Sequence, residues 1–457
     1  VNLIVVKIGG SILRDSEDVN RISSVLENKI REFNGRVIVV VSAFKGVTNK
    51  LIEGLYQREK IVDIASEVAD TYIRVLSKIS SRTNFEEAFR NISRLSDELF
   101  RISWSLRVID EVTPRLYDYV LSFGERMSAQ IIAAALRERN INAKAFTSGE
   151  MGLITNDNFM EAEVIEDLSS KMVRSRISEV IDNKLIPVIT GFIAQTRDGR
   201  ITTLGRGGSD YTATIFGKFL EAENVYLYTD VDGIKSGDPK IIRDTSTISR
   251  LSIDEAIELA QVGGKRFHPR TFEPLYGCKT KVVVTDINET SKTEVYGTCE
   301  GEEKVKAVAV ISPLSLISIQ GTKMVGRVGT AAEVMRSAQL ANVNILAISQ
   351  PISETSIYLV VRSEDKEKLK RSIEDNVIGK GIARDVEFNE AGAVNLIGCG
   401  LRNPIKMGEI ISLIKNREIF MVSKGLKGVS ITLITSLGEE VSLAQELHDK
   451  VIKNGQN

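Results

Sequence analysis

The first 41 residues limit the fold more than any other stretch of the chain. Leu3 to Ile8 is an apolar run, interrupted only by Lys7, that reads as a fully buried strand and leads directly into Gly9-Gly10-Ser11. Val19, Ile22, Val25, Leu26, Ile30 and Phe33 then recur at three- and four-residue spacing, which predicts a helix with one apolar face. That helix stops near Gly35, and Val37 to Val41 is again a buried strand. Strand, helix and strand in such quick succession form a βαβ unit, which requires a parallel sheet with helices on its faces. The pattern resumes at 185–189, 225–228 and 281–284 for strands and at 211–222 and 252–262 for helices.

Residues 50–140 depart from this alternation. Val62, Ala65, Ala69, Tyr72, Leu76 and Ile79 form one helical stripe, and Phe85, Phe89, Ile92, Leu95, Leu99 and Ile102 form another. They read as a covering helical layer in which nothing calls for chemistry. A short charged segment, Glu300-Gly301-Glu302-Glu303-Lys304, marks a boundary. Beyond it the order is strand 316–319, helix 331–340, strands 344–348 and 356–361, then helix 366–374. The same order returns over 394–397, 406–415, 419–422, 429–434 and 443–452. This is a βαββαβ-type unit met twice, with the last strand of each copy hard to see.

Composition narrows the chemistry. At 457 residues and 42% apolar the chain exceeds one core of typical size, so two or three domains are expected. Its 60 basic and 61 acidic residues nearly cancel, which argues against a nucleic-acid partner. Cys278, Cys299 and Cys399 are widely spaced and form no C-x-x-C pair. Reduced thiols in a cytoplasmic protein are therefore expected, with no disulfide framework and no structural zinc. His268 and His448 are the only histidines, which disfavours a Ser-His-Asp triad or a histidine-rich metal site. No apolar run approaches the roughly 20 residues that cross a bilayer. The N-terminal run lacks the charged lead and cleavage region of a signal peptide, and no membrane partner is expected.

Several strings place charge beside glycine. In Lys7-Ile8-Gly9-Gly10-Ser11 a strand-end lysine precedes a glycine turn at a helix start, where exposed amides and an ammonium favour phosphate. The P-loop pattern G-x-x-x-x-G-K-[ST] is absent. Gly205-Arg206-Gly207-Gly208-Ser209-Asp210 sets an arginine inside a glycine turn where a helix begins; Ser209 or Asp210 could serve as its N-cap, but capping does not account for Arg206, which suits a carboxylate or phosphate. Thr229-Asp230-Val231-Asp232-Gly233 follows a parallel strand and leads to Lys235 and Lys240; turn chemistry and ligand binding explain it equally well. Glu125, in Phe123-Gly124-Glu125-Arg126 ahead of an Ala- and Ile-rich helix, either favours the positive helix end or holds a substrate ammonium. Lys265, in Gly263-Gly264-Lys265-Arg266-Phe267-His268-Pro269, is a further cation beside glycines.

In this order, together with Ser42-Ala43 and Thr48-Asn49, these strings resemble the aspartate kinase family of the amino-acid kinase superfamily, and the repeated tail looks like its ACT regulatory modules. The resemblance implies an α/β amino-acid kinase fold, a parallel-sheet αβα sandwich, over 1–300. Two ferredoxin-like ACT domains (βαββαβ) would follow at 313–384 and 385–457, the second completed by a strand from 305–312. The implied reaction is ATP-dependent phosphorylation of the L-aspartate side-chain carboxylate. Lys7, Gly9, Gly10, Ser11, Thr229, Asp230, Lys235, Lys240 and Lys265 would contact ATP, with Mg²⁺ held mainly by its phosphates and no protein metal ligand. Ser42, Thr48, Glu125, Arg206, Ser209 and Asp210 would line the aspartate site, Asp210 also organising the catalytic Lys7. Ile8 and Ile12 stand where the family usually has Phe and a hydroxyl residue, and Lys235 and Lys240 where Tyr and Arg are common.

The residues agree with this on one independent point. A carboxylate nucleophile with a pKa near about 4 is already ionised at neutral pH, so a site without histidine suffices. In relatives an amino-acid effector binds where two ACT units meet, which here points to Met324, Gly329, Asn344 and Ile345. Lysine would want a carboxylate there, yet Glu333 is the only acidic residue between Lys323 and Ser353, so threonine is expected over lysine. A homodimer or higher oligomer through the ACT domains is also expected. Alternatives are another amino-acid-kinase-superfamily enzyme, or a catalytically silent ACT-based sensor; Lys7, Arg206 and Asp210 speak against the latter.

Overall fold

The computed structural model describes residues 3–79, 81–263, 266–301, 303–425 and 428–453. The chain divides into two compact units: the first contains residues up to Ile234 with 247–257 and 267–298, the second 235–246, 258–266 and everything from Cys299.

The first unit opens as its apolar spacing predicts, with β1 (Ile4–Ile8), α1 (Ser16–Glu32) and β2 (Val37–Val41). The carboxylate of Asp15 caps α1 by accepting from the amides of Glu17 and Asp18, so the helix starts ahead of its first apolar contact. The helical layer follows as α2 (Val47–Tyr56), α3 (Ile61–Ile79), α4 (Arg82–Ile109) and α5 (Pro114–Arg137). Next come β3 (Ala143–Phe146), β4 (Ile154–Thr155), α6 (Glu166–Asp182), β5 (Ile186–Thr190), β6 (Ile193–Thr196) and β7 (Ile201–Thr203). The unit ends with α7 (Gly208–Phe219), β8 (Asn224–Thr229), β9 (Arg250–Leu251), α8 (Ile253–Val262), β10 (Lys281–Asp286) and β11 (Lys292–Val295), the division between units falling within α8.

The main sheet has the order β3-β5-β2-β1-β8-β10-β11-β9. Every pairing is parallel except β10 with β11. β1 and β2 are buried along their whole length, as strands covered on both faces must be, and this is why they are unbroken apolar runs. Chain order reverses across β1, which has β2 on one side and β8 on the other. In such sheets a crevice opens beyond the carboxyl ends of the strands at that point.

The second unit is a six-stranded antiparallel sheet, order β13-β14-β12-β15-β17-β16, with helices packed on it. Its elements are β12 (Ala307–Gln320), α9 (Thr330–Leu340), β13 (Ala347–Ser349), β14 (Ser356–Arg362), α10 (Lys366–Ile373), β15 (Asp385–Ile397), α11 (Pro404–Ile414), β16 (Ile419–Ser423), β17 (Ser430–Ser436) and α12 (Glu440–Leu447). The missing last strands are found in β12 and β15. Leu314–Gln320 pairs with Asp385–Ala391, and Ala307–Ile311 pairs with Ala393–Ile397. Each long strand therefore opens one βαββαβ motif and closes the other. Ile317, Val334, Leu359 and Leu369 form one core, and Val308, Leu396, Ile410 and Leu443 the other.

Two expectations are corrected here. The strand expected at 344–348 is only β13: Asn342 (φ 52°) ends α9, pairing with β14 begins at Ala347 opposite Val360, and Asn344 and Ile345 stay in the loop before it. Cys299 and Cys399 are joined in a disulfide, contrary to the reduced thiols expected. Distance along the chain misled, because Gly400 N donates to Lys304 O and Lys306 N to Ile397 O, bringing the two segments side by side. Cys278 is a free thiol. Among the described residues no helix is long and apolar enough to cross a membrane.

The disulfide closes a loop of sequence separation 100. Replacing Cys299 and Cys399 together by Ser is expected to destabilise the chain by about 2–4 kcal/mol. Urea unfolding with and without reductant checks this: reductant should shift the midpoint of the unaltered chain and leave that of the double variant in place.

Candidate active site

Lys7 is the penultimate residue of β1, with β2 and β8 on either side. Its ammonium lies 2.6 Å from Asp210 Oδ1, and both residues are buried. The contact is a close ion pair between two buried groups. An unpaired charge at this depth would cost several kcal/mol, and the pairing offsets that penalty. Asp210 comes from the first turn of α7, where a carboxylate also meets the positive helix end. Neither Ser209 nor Asp210 is the N-cap of this helix. Gly207 takes that place at φ +71°, and a Cβ there would lie 2.5 Å from the Cβ of His268, so only glycine fits. Ser209 lies against Gly191, and Arg206 is exposed on the loop before the helix.

The glycine turn stands beside this pair. Gly9 N donates to Tyr228 O at 3.1 Å, joining the turn to the end of β8, where the Thr229 hydroxyl donates to the Asp230 carboxylate. Gly10 and Ser11 continue as a 3-10 turn. A Cβ on Gly10 would lie 2.8 Å from Ala43 O, so the turn and the loop after β2 touch through bare backbone. That loop also carries Ser42, whose amide donates to Ile8 O, and Thr48 follows in the first turn of α2.

Ala43 touches a second candidate on its other side. Its amide donates to Glu125 Oε1 at 3.2 Å, while Glu125 Oε2 is buried without a partner. Burial pushes the Glu125 carboxyl up to about 8, against the smaller opposing effect of hydrogen bonds from backbone amides. Glu125 does not precede a helix: it sits about three turns into α5, out of reach of the positive helix end. Gly124 hid this in the sequence. A helix-interior glycine is normally unfavourable, but a Cβ here would lie 2.7 Å from the Ala43 Cβ, and the close approach requires it.

Two supporting residues carry no sequence signal beyond their place in an apolar stripe or helix. The Tyr72 hydroxyl, from α3, accepts the amide of Phe44 at 3.2 Å. Asp118 is fully buried and accepts from Met160 N, Thr203 N and the Thr203 hydroxyl, fixing the chain just before the Arg206 loop. Its carboxyl is raised by burial, which the hydrogen bonds partly counter.

The remaining candidates stand elsewhere. Lys235 and Lys240 belong to the 235–246 segment of the second unit, where Ile242 enters a core and Ser236 Oγ lies 2.9 Å from His448 Nε2. Lys265 lies outside the described residues. Met324 is a core residue of the second unit, and Gly329 (φ +89°) is the N-cap of α9. Among the described residues no group of three or more His, Cys, Asp or Glu is arranged to hold a metal ion. A hollow of about 700 Å³, bordered by Leu3, Arg36, Phe219 and Lys281, lies where strands begin, and none of the candidate residues lines it.

Residues 2–286 match the model of the amino acid kinase family, and residues 317–377 match that of an ACT domain. The chain belongs to the amino acid kinase family. It is 27% identical to the aspartokinase of Rickettsia felis, over 94% of each chain. It is 26% identical to chloroplastic aspartokinase 2 of Arabidopsis thaliana, over 97% of this chain and 83% of that protein. Its fold is similar to that of E. coli aspartokinase III in complex with lysine and aspartate, with TM-score 0.81, 25% identity, and 99% and 100% of the two chains covered. An amino acid kinase fold with C-terminal ACT structure is the organisation it shares with these relatives.

The raised Glu125 carboxyl has a consequence for stability. Below its ordinary 4.5 both folded and unfolded chains hold the proton. Between 4.5 and about 8 only the folded chain holds it, so stability falls as pH rises, and above about 8 the full penalty of a buried charge is present. Glu125→Gln is therefore expected to be more stable than the unaltered chain at pH 8.5, by a few kcal/mol and at most about 5. Urea midpoints measured from pH 4.5 to 8.5 should show the difference growing from near zero.

Proposed function

We propose that this chain transfers the terminal phosphoryl group of ATP to the side-chain carboxylate of L-aspartate, giving 4-phospho-L-aspartate and ADP. It is an aspartate kinase. The observation that carries the reading is the meeting, on either side of Ala43, of an anion-binding turn with a buried carboxylate that has one oxygen to spare. The first suits a phosphate and the second an α-ammonium. The names of the end-to-end relatives, all aspartokinases, point the same way.

The chemistry needs little from the protein beyond position and charge. The aspartate carboxylate is ionised at neutral pH and attacks the γ-phosphorus without a general base. Two anions must be brought together, so Lys7 faces the transferring group and Asp210 fixes its direction. Amides of Gly10 and Ser11 hold phosphate oxygens, Gly9, whose own amide is engaged by Tyr228 O, lets the phosphate approach the backbone closely, and Thr229 and Asp230 contact the nucleotide. Lys235, Lys240 and Lys265 are nucleotide contacts on sequence grounds alone. Arg206 binds the substrate α-carboxylate, Glu125 its ammonium, and Ser42, Thr48 and Ser209 complete the aspartate site. Mg²⁺ bound to ATP would supply further neutralisation of phosphate charge.

The product feeds biosynthesis of the aspartate-derived amino acids lysine, threonine and methionine. The disulfide removes the thiol argument for a cytoplasmic location, which now rests on the substrates being cytoplasmic metabolites. Feedback acts through the ACT structure, Met324, Gly329, Asn344 and Ile345 being the effector contacts proposed from sequence. Threonine is the preferred effector: Glu333, the one acidic residue of that stretch, is 4.0 Å from Lys380 and is already an ion-pair partner. The E. coli relative was solved with lysine, so this chain would differ from it. Assembly through the ACT domains gives a homodimer or a larger oligomer.

Aspartyl hydroxamate should form only when hydroxylamine, ATP and aspartate are all present; nucleotide binding without transfer to any dicarboxylic acid overturns the reading. Arg206→Ala should raise the aspartate KM at least tenfold, as expected for a lost charge-assisted contact. Because Glu125 is neutral at pH 7 and meets an ammonium, aspartate binding should release close to one proton. Calorimetry in buffers of different ionisation enthalpy measures this, and Glu125→Gln should abolish it.

A further inference from the structure

We infer that Tyr72, in the helical layer, is a positioning residue for the substrate end of the site. The inference rests on the aspartate kinase reading above. Tyr72 occupies the apolar stripe of α3, where a leucine or phenylalanine would complete the core as well. It is fully buried, and a buried hydroxyl destabilises a core unless it finds partners. Tyr72 has three. Its oxygen accepts from Phe44 N at 3.2 Å, its proton reaches Gly124 O at 2.8 Å, and Ser128 Oγ lies 3.0 Å away. The ring centroid stands 4.9 Å from that of Phe44, so ring and hydroxyl grip the same residue.

The partners are consecutive with the site. Ala43 and Phe44 present successive amides, one to Glu125 Oε1 and the next to Tyr72. Gly124 and Glu125 are likewise successive in α5. Tyr72 therefore closes a ring of hydrogen bonds that sets the spacing between the 42–44 loop and α5. That spacing places Ser42 and aims the Glu125 carboxylate. Without the hydroxyl, Phe44 N–H is left buried and unpaired, and the loop relaxes to satisfy it. The Lys7–Asp210 contact lies on other elements and stays in place. Displacements well below 1 Å in a substrate-positioning group are enough to change binding and rate.

Tyr72→Phe removes one oxygen and keeps the ring. The expected result is an aspartate KM raised about tenfold with the ATP KM unchanged and the thermal midpoint little altered. A lowered midpoint with both KM values unchanged, or equal rises in both, would make Tyr72 a core residue only and overturn the inference. Should Tyr72→Phe fail to fold, Ser128→Ala decides: it disturbs the same hydroxyl without touching the loop. A rise of about threefold in the aspartate KM alone supports the inference, and no change overturns it. Failure of the underlying reading shows separately, as unaltered protein that forms no aspartyl hydroxamate.

Discussion

A lysine inside a covered parallel sheet is the constraint on which the first unit depends. Lys7 stands in register with Val40 and Leu227, and its neighbours in β1 are completely buried. Such a charge needs a counter-charge nearby, and Asp210 supplies it from the first turn of α7. That requirement fixes where α7 begins relative to β1. It therefore also fixes Gly207, whose left-handed backbone packs on His268, and the exposed Arg206 next to it. Asp118 secures the same loop from its other end by binding Thr203. One buried ion pair thus organises a helix start, a cap and a guanidinium.

Glu125 solves the opposite problem. It too is buried, but one carboxylate oxygen accepts from the amide of Ala43 while the other is left without a partner among the described residues. The fold holds it as a neutral acid, through loss of water around it. A cationic group arriving beside it would restore the ionised form and offset the desolvation already suffered. Lys7 is compensated within the chain and stays oriented; Glu125 is left for a ligand to compensate. On the function proposed here, the two separate a group that must be fixed before substrate arrives from one whose charge appears with it.

Strands β1, β2, β5, β8 and β10 were legible because covering both faces of a parallel sheet demands unbroken apolar residues. Lys7 was legible as the single interruption of such a run. The sequence sets Glu125 ahead of a helix, because glycine argues against a helix interior; the contact between Gly124 and Ala43, 81 residues apart, explains why the helix runs through it. Tyr72 reads as one more apolar position, since periodicity reports which face is buried and not what a hydroxyl meets there. Asp118 gave no signal, because its partners come from segments far along the chain. The Cys299–Cys399 bond was hidden in the same way, by contacts that depend on how β12 and β15 pair.

The repeat in the tail is readable as helices and short strands, yet its closing strands leave no clear pattern of their own, the one at 305–312 being expected from the family resemblance alone, and the reason is physical. A strand that belongs to two motifs runs on through the point where one ends and the other begins, here Ser312-Pro313 in β12 and Gly392 in β15. β12 and β15 pass through both βαββαβ motifs, shifting register between Ile311 and Leu314. The first half of β12 contributes Val308 to one core and the second half contributes Ile317 and Ile319 to the other. Close-packed cores resist change in volume. The two cores are built on shared strands: the backbone that shapes one motif continues directly into its neighbour.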